Sequence, residues 1–138
     1  MKKVVFVCRG NIFRSQIARA IYNSIKTDGS IAYAYGTSVA LQKNEGLLLS
    51  AYPGIGDTIS VMKKHGLDIS NEHCTQLKPE HLEGASKIIV MAEKADIPEW
   101  LHTYDYEYWV IPNPETAQEA TVEKIYSILE ENISKLSL

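Results

Sequence analysis

The sequence predicts an α/β domain, a doubly wound four-stranded parallel sheet with helices on both faces, with residues 1–138 forming one unit. Three observations predict it. Short β-branched runs alternate along the chain with stretches whose apolar residues recur at helical spacing, the pattern of strands joined by right-handed crossovers. The 138 residues are 45% hydrophobic and 22% charged, a balance that suits one globular domain burying roughly two-thirds of its unfolded surface. No internal repeat, low-complexity tract or linker divides the chain.

The elements follow in order. Val4 to Cys8 is a continuous apolar run, the mark of a central strand buried on both faces. From Ser15, suited to the N-cap, Ile17, Ala18, Ala20, Ile21 and Ile25 trace a helical stripe that Gly29 stops. Ile31 to Tyr35 forms the second strand, ended by Gly36, and "DTISVMKKHG" forms a helix ending at Gly66. Between them, Ser38 to Gly56 reads as a long loop with one helical turn, the kind of segment that often serves function. "KPEHLE" gives a short helix, Lys87 to Met91 the third strand, and Tyr106 to Ile111 the fourth, halted by Pro112 and Pro114. Ala120, Ile125, Ile128, Leu129, Ile133 and Leu136 form the stripe of a closing helix.

Composition excludes several function classes. The formal net charge is −3, so the broad basic footprint of a nucleic-acid binder is missing and any bound anion must be held locally. Two cysteines make no disulfide framework, and no apolar run approaches the roughly 20 residues of a membrane span. After Met1, Lys2 and Lys3, "VVFVC" is too short for the core of a signal peptide, so the expectation is a reducing cytoplasm. His65, His73, His81 and His102 show no metal-ligand spacing with the cysteines, and neither metal nor cofactor is expected.

The chemistry concentrates in "CRGNIFRS". In an open α/β sheet, ligands bind where strand carboxyl ends meet helix N-termini, and Cys8 ends the first strand just before the first helix. The loop between them, Arg9, Gly10, Asn11, Ile12 and Phe13, would turn successive backbone N–H groups inward as phosphate-cradling loops do, with Gly10 permitting the curvature. Arg14 adds a planar fork able to grip two phosphate oxygens at once. The same donors would stabilise a thiolate at Cys8 and make it a nucleophile at neutral pH. The ordinary alternative is a cysteine serving as a small buried hydrophobe, with solvated arginines nearby. Against it, the cysteine and Arg14 bridge a strand and a helix, Ser15 follows directly, and Arg9, Arg14 and Arg19 crowd one short stretch.

"VCRGNIFRS" resembles the C-x5-R-S signature of the low-molecular-weight protein tyrosine phosphatase family, whose fold is shared with thioredoxin-coupled arsenate reductases. The similarity extends through "YGTS", "KKHGLDISNEHCTQL", "IIVMAEK" and "WVIPNP", nearly the whole chain. The resemblance implies a hydrolase, a cysteine-dependent phosphomonoester phosphatase without cofactor, acting on phosphate monoesters or phosphorylated proteins and binding phosphate, sulfate or vanadate. It implies that Cys8 attacks phosphorus to form a phosphocysteine and that Arg14 binds the equatorial oxygens. Asn11 would brace the loop, and Ser15 would hydrogen-bond the thiolate.

Three departures stand out. Asn113 occupies the place where that family uses an aspartate as general acid and base, and an amide can do neither, so turnover is expected to be impaired. Phe13 stands where many members carry a second cysteine that traps the oxidised nucleophile. The aromatic walls that clamp a phosphotyrosine ring are also missing, with Tyr52 a distant candidate. Asp68, Asp96 and Asp105 read as caps or turns rather than substitute acids, and Trp109 as core. Cys74 precedes the third strand, whereas the arsenate reductases place their resolving pair after it. Two alternatives therefore accompany the phosphatase: a catalytically weak phosphate-binding module and, further off, an arsenate reductase.

Overall fold

A computed structural model describes residues 2–138. Four parallel strands, β1 (Lys3–Cys8), β2 (Ile31–Gly36), β3 (Lys87–Val90) and β4 (Glu107–Tyr108), form one sheet in the order β2-β1-β3-β4. Three α-helices accompany them: α1 (Arg14–Ile25), α2 (Gly56–Lys64) and α3 (Glu119–Ser134). β1 is paired on both sides, Cys8 opposite Gly36 of β2 and Val7 opposite Val90 of β3. Both its faces are covered, which is why its apolar run shows no alternation. Val4, Phe6 and Cys8 join the apolar stripes of all three α-helices in one cluster. Val5 and Val7 face the other way, against Leu77, Leu82 and Leu101, under the 3₁₀ turns Pro79–Leu82 and Glu99–Thr103. Both faces carry helical cover, but the second carries only single turns.

From β1 the chain moves to β2 on one side and later crosses to β3 on the other. The crevice of such a sheet opens at the carboxyl ends of the strands flanking that reversal, here Cys8 and Val90.

The elements differ from expectation at three places. α1 begins at Arg14 with Phe13 at the cap position, so Ser15 lies inside the first turn and caps nothing. Its hydroxyl is drawn instead to Cys8 and Asn11. α1 also stops at Ile25, because Lys26 already has extended geometry, four residues short of the sequence-expected stop at Gly29. The fourth strand shrinks from Tyr106–Ile111 to two residues. One further ladder bond, from the Trp109 N–H to the Val90 carbonyl at 2.9 Å, ends the pairing. β3 offers only four residues to pair with, and the prolines that follow have no N–H to donate. Trp109 is core as expected, its ring 6.0 Å from that of Phe6. No described helix is long and apolar enough to cross a membrane.

The 38–56 segment contains the 3₁₀ turn Leu49–Ala51, and residues 73–77 run back past it to the edge of β2. There Gly36 is sterically obligatory. A Cβ on it would stand 2.7 Å from the Arg9 carbonyl oxygen and 2.8 Å from the Asn11 nitrogen, both backbone atoms that cannot rotate away. Gly36→Ala is expected to cost about 1–3 kcal/mol in denaturant unfolding, the usual range for overpacking, and to weaken phosphate binding, since the displaced atoms belong to the Cys8 loop. Unchanged stability and binding would show that the loop yields freely.

Two turns contribute to acid sensitivity. Asp28 and Asp68 each accept bonds from the hydroxyl and N–H of the serine two residues on. Those bonds, the side-chain one foremost, hold both carboxyls below the ordinary value. A depressed carboxyl contributes stability above its unfolded pKa and loses it as pH falls through the folded one. The melting temperature should therefore decline below about pH 4, and Asp28→Asn or Asp68→Asn should flatten that decline.

Candidate active site

Nearly all the sequence-predicted residues meet at one cleft. Cys8, Arg9, Gly10, Ile12, Phe13, Arg14 and Asn113 line a cavity of about 480 Å³, together with Tyr52, Pro53 and Ile55. Asn11 and Ser15 lie beneath it, fully buried.

The geometry around the sulfur follows from the curvature of the loop. Asn11 has φ 54, in the left-handed region that asparagine tolerates best after glycine. The turn expected at Gly10 thus falls one residue later, since Gly10 has no positive φ. That conformation brings the Asn11 N–H to within 3.3 Å of Cys8 Sγ. The Asn11 amide is oriented by its own partners: Oδ1 accepts from the Thr75 N–H at 2.8 Å and from Gln16 Nε2 at 3.3 Å, so Nδ2 is left to donate to Ser15 Oγ at 2.8 Å. With its oxygen accepting from Asn11, the Ser15 hydroxyl is free to donate to Cys8 Sγ, 3.0 Å away. The sulfur then receives two donors. The N–H groups of Gly10, Ile12, Phe13 and Arg14 have no protein acceptor among the described residues.

Arg14 is 3% exposed and its guanidinium is gripped from behind. Nη1 donates to the Met91 carbonyl at 2.6 Å, the Ile111 carbonyl at 3.3 Å and Glu93 Oε2 at 3.2 Å, while Nη2 donates to Glu93 Oε1 at 3.1 Å. Glu93 thus takes the end of the fork, and the Nε edge has no protein partner among the described residues. Partial burial, the largest single influence, would raise the Glu93 carboxyl, but the hydrogen bonds from Arg14 and from its own backbone, together with the charges of Arg14 and Arg9, hold it below the usual range. Sequence reasoning missed Glu93. The available signal was an acidic residue just beyond the carboxyl end of β3, the side of the sheet where ligands bind.

Other expectations resolve plainly. Asp68 is a turn residue, as its serine bonds show. Asp96 pairs with Arg9 at 3.4 Å, and Asp105 is exposed away from the cleft. Tyr52 does reach the cleft wall. The described residues contain no group of three or more histidine, cysteine or acidic side chains that could hold a metal. His65 and His81 stack on Tyr126 and Tyr35 instead.

The two thiols occupy different environments. Cys74 is fully buried, and burial first, then the nearby Cys8 and Glu45, push its thiol up to about 11. At pH 7 its thiolate fraction is then about one in 10⁴. Iodoacetate is expected to alkylate Cys8 well ahead of Cys74, and inorganic phosphate to protect Cys8. Peptide mapping that finds equal labelling would contradict this assignment. Because Phe13 supplies no trapping thiol, prolonged peroxide should carry Cys8 to sulfinic acid, which dithiothreitol cannot reverse.

Comparisons place these features among known proteins. The family model described as low molecular weight phosphotyrosine protein phosphatase matches residues 3–137. A probable low molecular weight protein-tyrosine-phosphatase, EpsP of Ralstonia solanacearum, is 33% identical over 99 residues, which span 70% of this chain and 61% of that relative's length. Among solved structures, the tyrosine phosphatase Wzb from Escherichia coli K30 in complex with sulphate is 18% identical, covering 97% of this chain and 94% of its own at a TM-score of 0.72. The thioredoxin-dependent arsenate reductase Cg_ArsC1' of Corynebacterium glutamicum is 18% identical, covering 98% of this chain and 59% of its own at a TM-score of 0.70. At such identities the solved structures show a shared fold.

Proposed function

Because the chain belongs to the low molecular weight phosphotyrosine protein phosphatase family, we propose that residues 1–138 form a phosphatase domain that hydrolyses phosphate monoesters through a phosphocysteine on Cys8. The observation that carries this reading is the pair of hydrogen bonds aimed at Cys8 Sγ, from the Asn11 N–H and the Ser15 hydroxyl, at the base of a cleft walled by Arg14. The thiolate attacks phosphorus and the bond to the leaving oxygen breaks, leaving the phosphoryl group on sulfur. Water then attacks the same phosphorus, the S–P bond breaks, and inorganic phosphate leaves with the thiolate restored. Arg14, through its open Nε edge, and the unpaired amides of residues 10 and 12–14 stabilise the transferring oxygens.

The substrate is a phosphorylated tyrosine of a protein or another phosphomonoester, whose phenol or alcohol is the leaving group, and a reducing cytoplasm suits a nucleophile that is a free thiol. Arsenate reduction is disfavoured, because it needs a second reactive thiol and the other cysteine, Cys74, is buried with its pKa raised. Asn113 at the cleft favours a second reading, a phosphate-binding module without turnover. Phosphate titration and steady-state hydrolysis of p-nitrophenyl phosphate decide between them. The phosphatase reading expects turnover inhibited by vanadate and a trappable phosphocysteine, whereas binding without either assigns the module.

A further inference from the structure

Both steps of that reaction move a proton, and the amide of Asn113 can neither give nor take one. We propose that Glu115 supplies the missing acid and base, an inference that rests on the phosphatase reading. Among the residues that line the cleft with Cys8, Glu115 is the only one with a carboxylate. The neighbouring acids are committed elsewhere. Glu93 is held ionised against Arg14, and Asp96 pairs with Arg9. Glu115 is exposed and makes no hydrogen bond or ion pair among the described residues, so its carboxyl is free to meet a substrate.

The backbone explains why it reaches the site. The Arg14 guanidinium grips the Ile111 carbonyl, which anchors the start of the loop beside the arginine. Pro112 and Pro114 then restrict the chain, and Pro114 biases Asn113 towards extended geometry. The chain bends at Glu115 and Thr116 and runs along the cleft, so that Asn113, Glu115 and the residues as far as Gln118 all line it. The carboxyl function has moved two positions along the same loop, on a side chain one methylene longer than aspartate.

In the first step the protonated Glu115 carboxyl donates its proton to the leaving oxygen as the P–O bond breaks. In the second the resulting carboxylate takes a proton from the attacking water as the S–P bond breaks, which returns Glu115 to its starting form.

The test compares wild type, Glu115→Gln, Asn113→Asp, the Glu115→Gln/Asn113→Asp double variant and Cys8→Ser on two esters. Phenyl phosphate needs a proton on its leaving oxygen, whereas p-nitrophenyl phosphate releases a stable phenolate without one. Since kcat/KM reports only the first step, Glu115→Gln should lower it about 10²- to 10⁴-fold for phenyl phosphate and less than tenfold for p-nitrophenyl phosphate. With p-nitrophenyl phosphate the variant should also show a burst, because the base for the second step is gone. Asn113→Asp alone should change kcat less than tenfold, and in the double variant it should restore most of the loss. A Glu115→Gln protein with unchanged kcat/KM on phenyl phosphate, or with equal losses on both esters, overturns the role of Glu115. If Cys8→Ser keeps its activity, the phosphatase reading itself fails.

Discussion

Cys8→Ser is expected to reduce turnover of p-nitrophenyl phosphate by roughly 10⁴-fold or more, the scale of loss when a covalent nucleophile is removed. The substitution is nearly isosteric, and the serine oxygen can still accept from the Asn11 N–H and the Ser15 hydroxyl. What disappears is nucleophilicity, since an alcohol is far harder to ionise than a thiol. The loop should stay folded, so phosphate affinity should change less than tenfold and the melting temperature by only a few degrees. Mass spectrometry of a rapid quench should show a phosphoryl adduct on the parent protein and none on the variant. Activity within tenfold of the parent would remove Cys8 from the mechanism.

Arg14→Lys is expected to cost about 10³- to 10⁵-fold in kcat, the range for an arginine that stabilises phosphoryl transfer. One guanidinium performs two tasks here. Its terminal nitrogens satisfy the Met91 and Ile111 carbonyls and the Glu93 carboxylate, while the Nε edge has no protein partner among the described residues and the side chain lines the cleft. A lysine ammonium is a single point of charge and cannot span both sets, so its interaction with Glu93 would draw it away from the phosphoryl oxygens. Phosphate affinity should fall with kcat, measured by calorimetry on the variant. A loss under tenfold in both would mean that the backbone amides hold the anion alone. Glu93→Gln should cause a smaller loss of the same kind, because it loosens the guanidinium without removing it.

Most of the candidate site was legible because it is contiguous. Cys8, the five residues after it, Arg14 and Ser15 lie within one strand-to-helix connection, where residue type and position predict chemistry directly. The details within it were less legible. Ser15 reads as a helix cap by residue type, yet α1 already begins at Arg14, so Ser15 lies inside the first turn and its hydroxyl goes to Cys8. Gly10 reads as the hinge, yet Asn11 takes the left-handed conformation because its amide is braced by Thr75 and Gln16. The fourth strand read as six residues from its β-branched and aromatic content, but its length was set by a partner only four residues long.

By itself the sequence determined the α/β class, the order of the strands and helices, and the place of Cys8 and Arg14 at either end of the loop between β1 and α1. These follow from local periodicity and from spacing along one short segment. Only the tertiary structure decided which carboxylates stand against Arg14 and in the cleft. Glu93 reaches Arg14 because β3 lies beside β1 in the sheet, and Glu115 reaches the cleft because Arg14 grips the chain at Ile111. Those residues stand 79 and 101 positions from Arg14 in the chain (93 − 14 and 115 − 14), separations at which residue type says nothing about proximity until strand pairing closes the intervening loops.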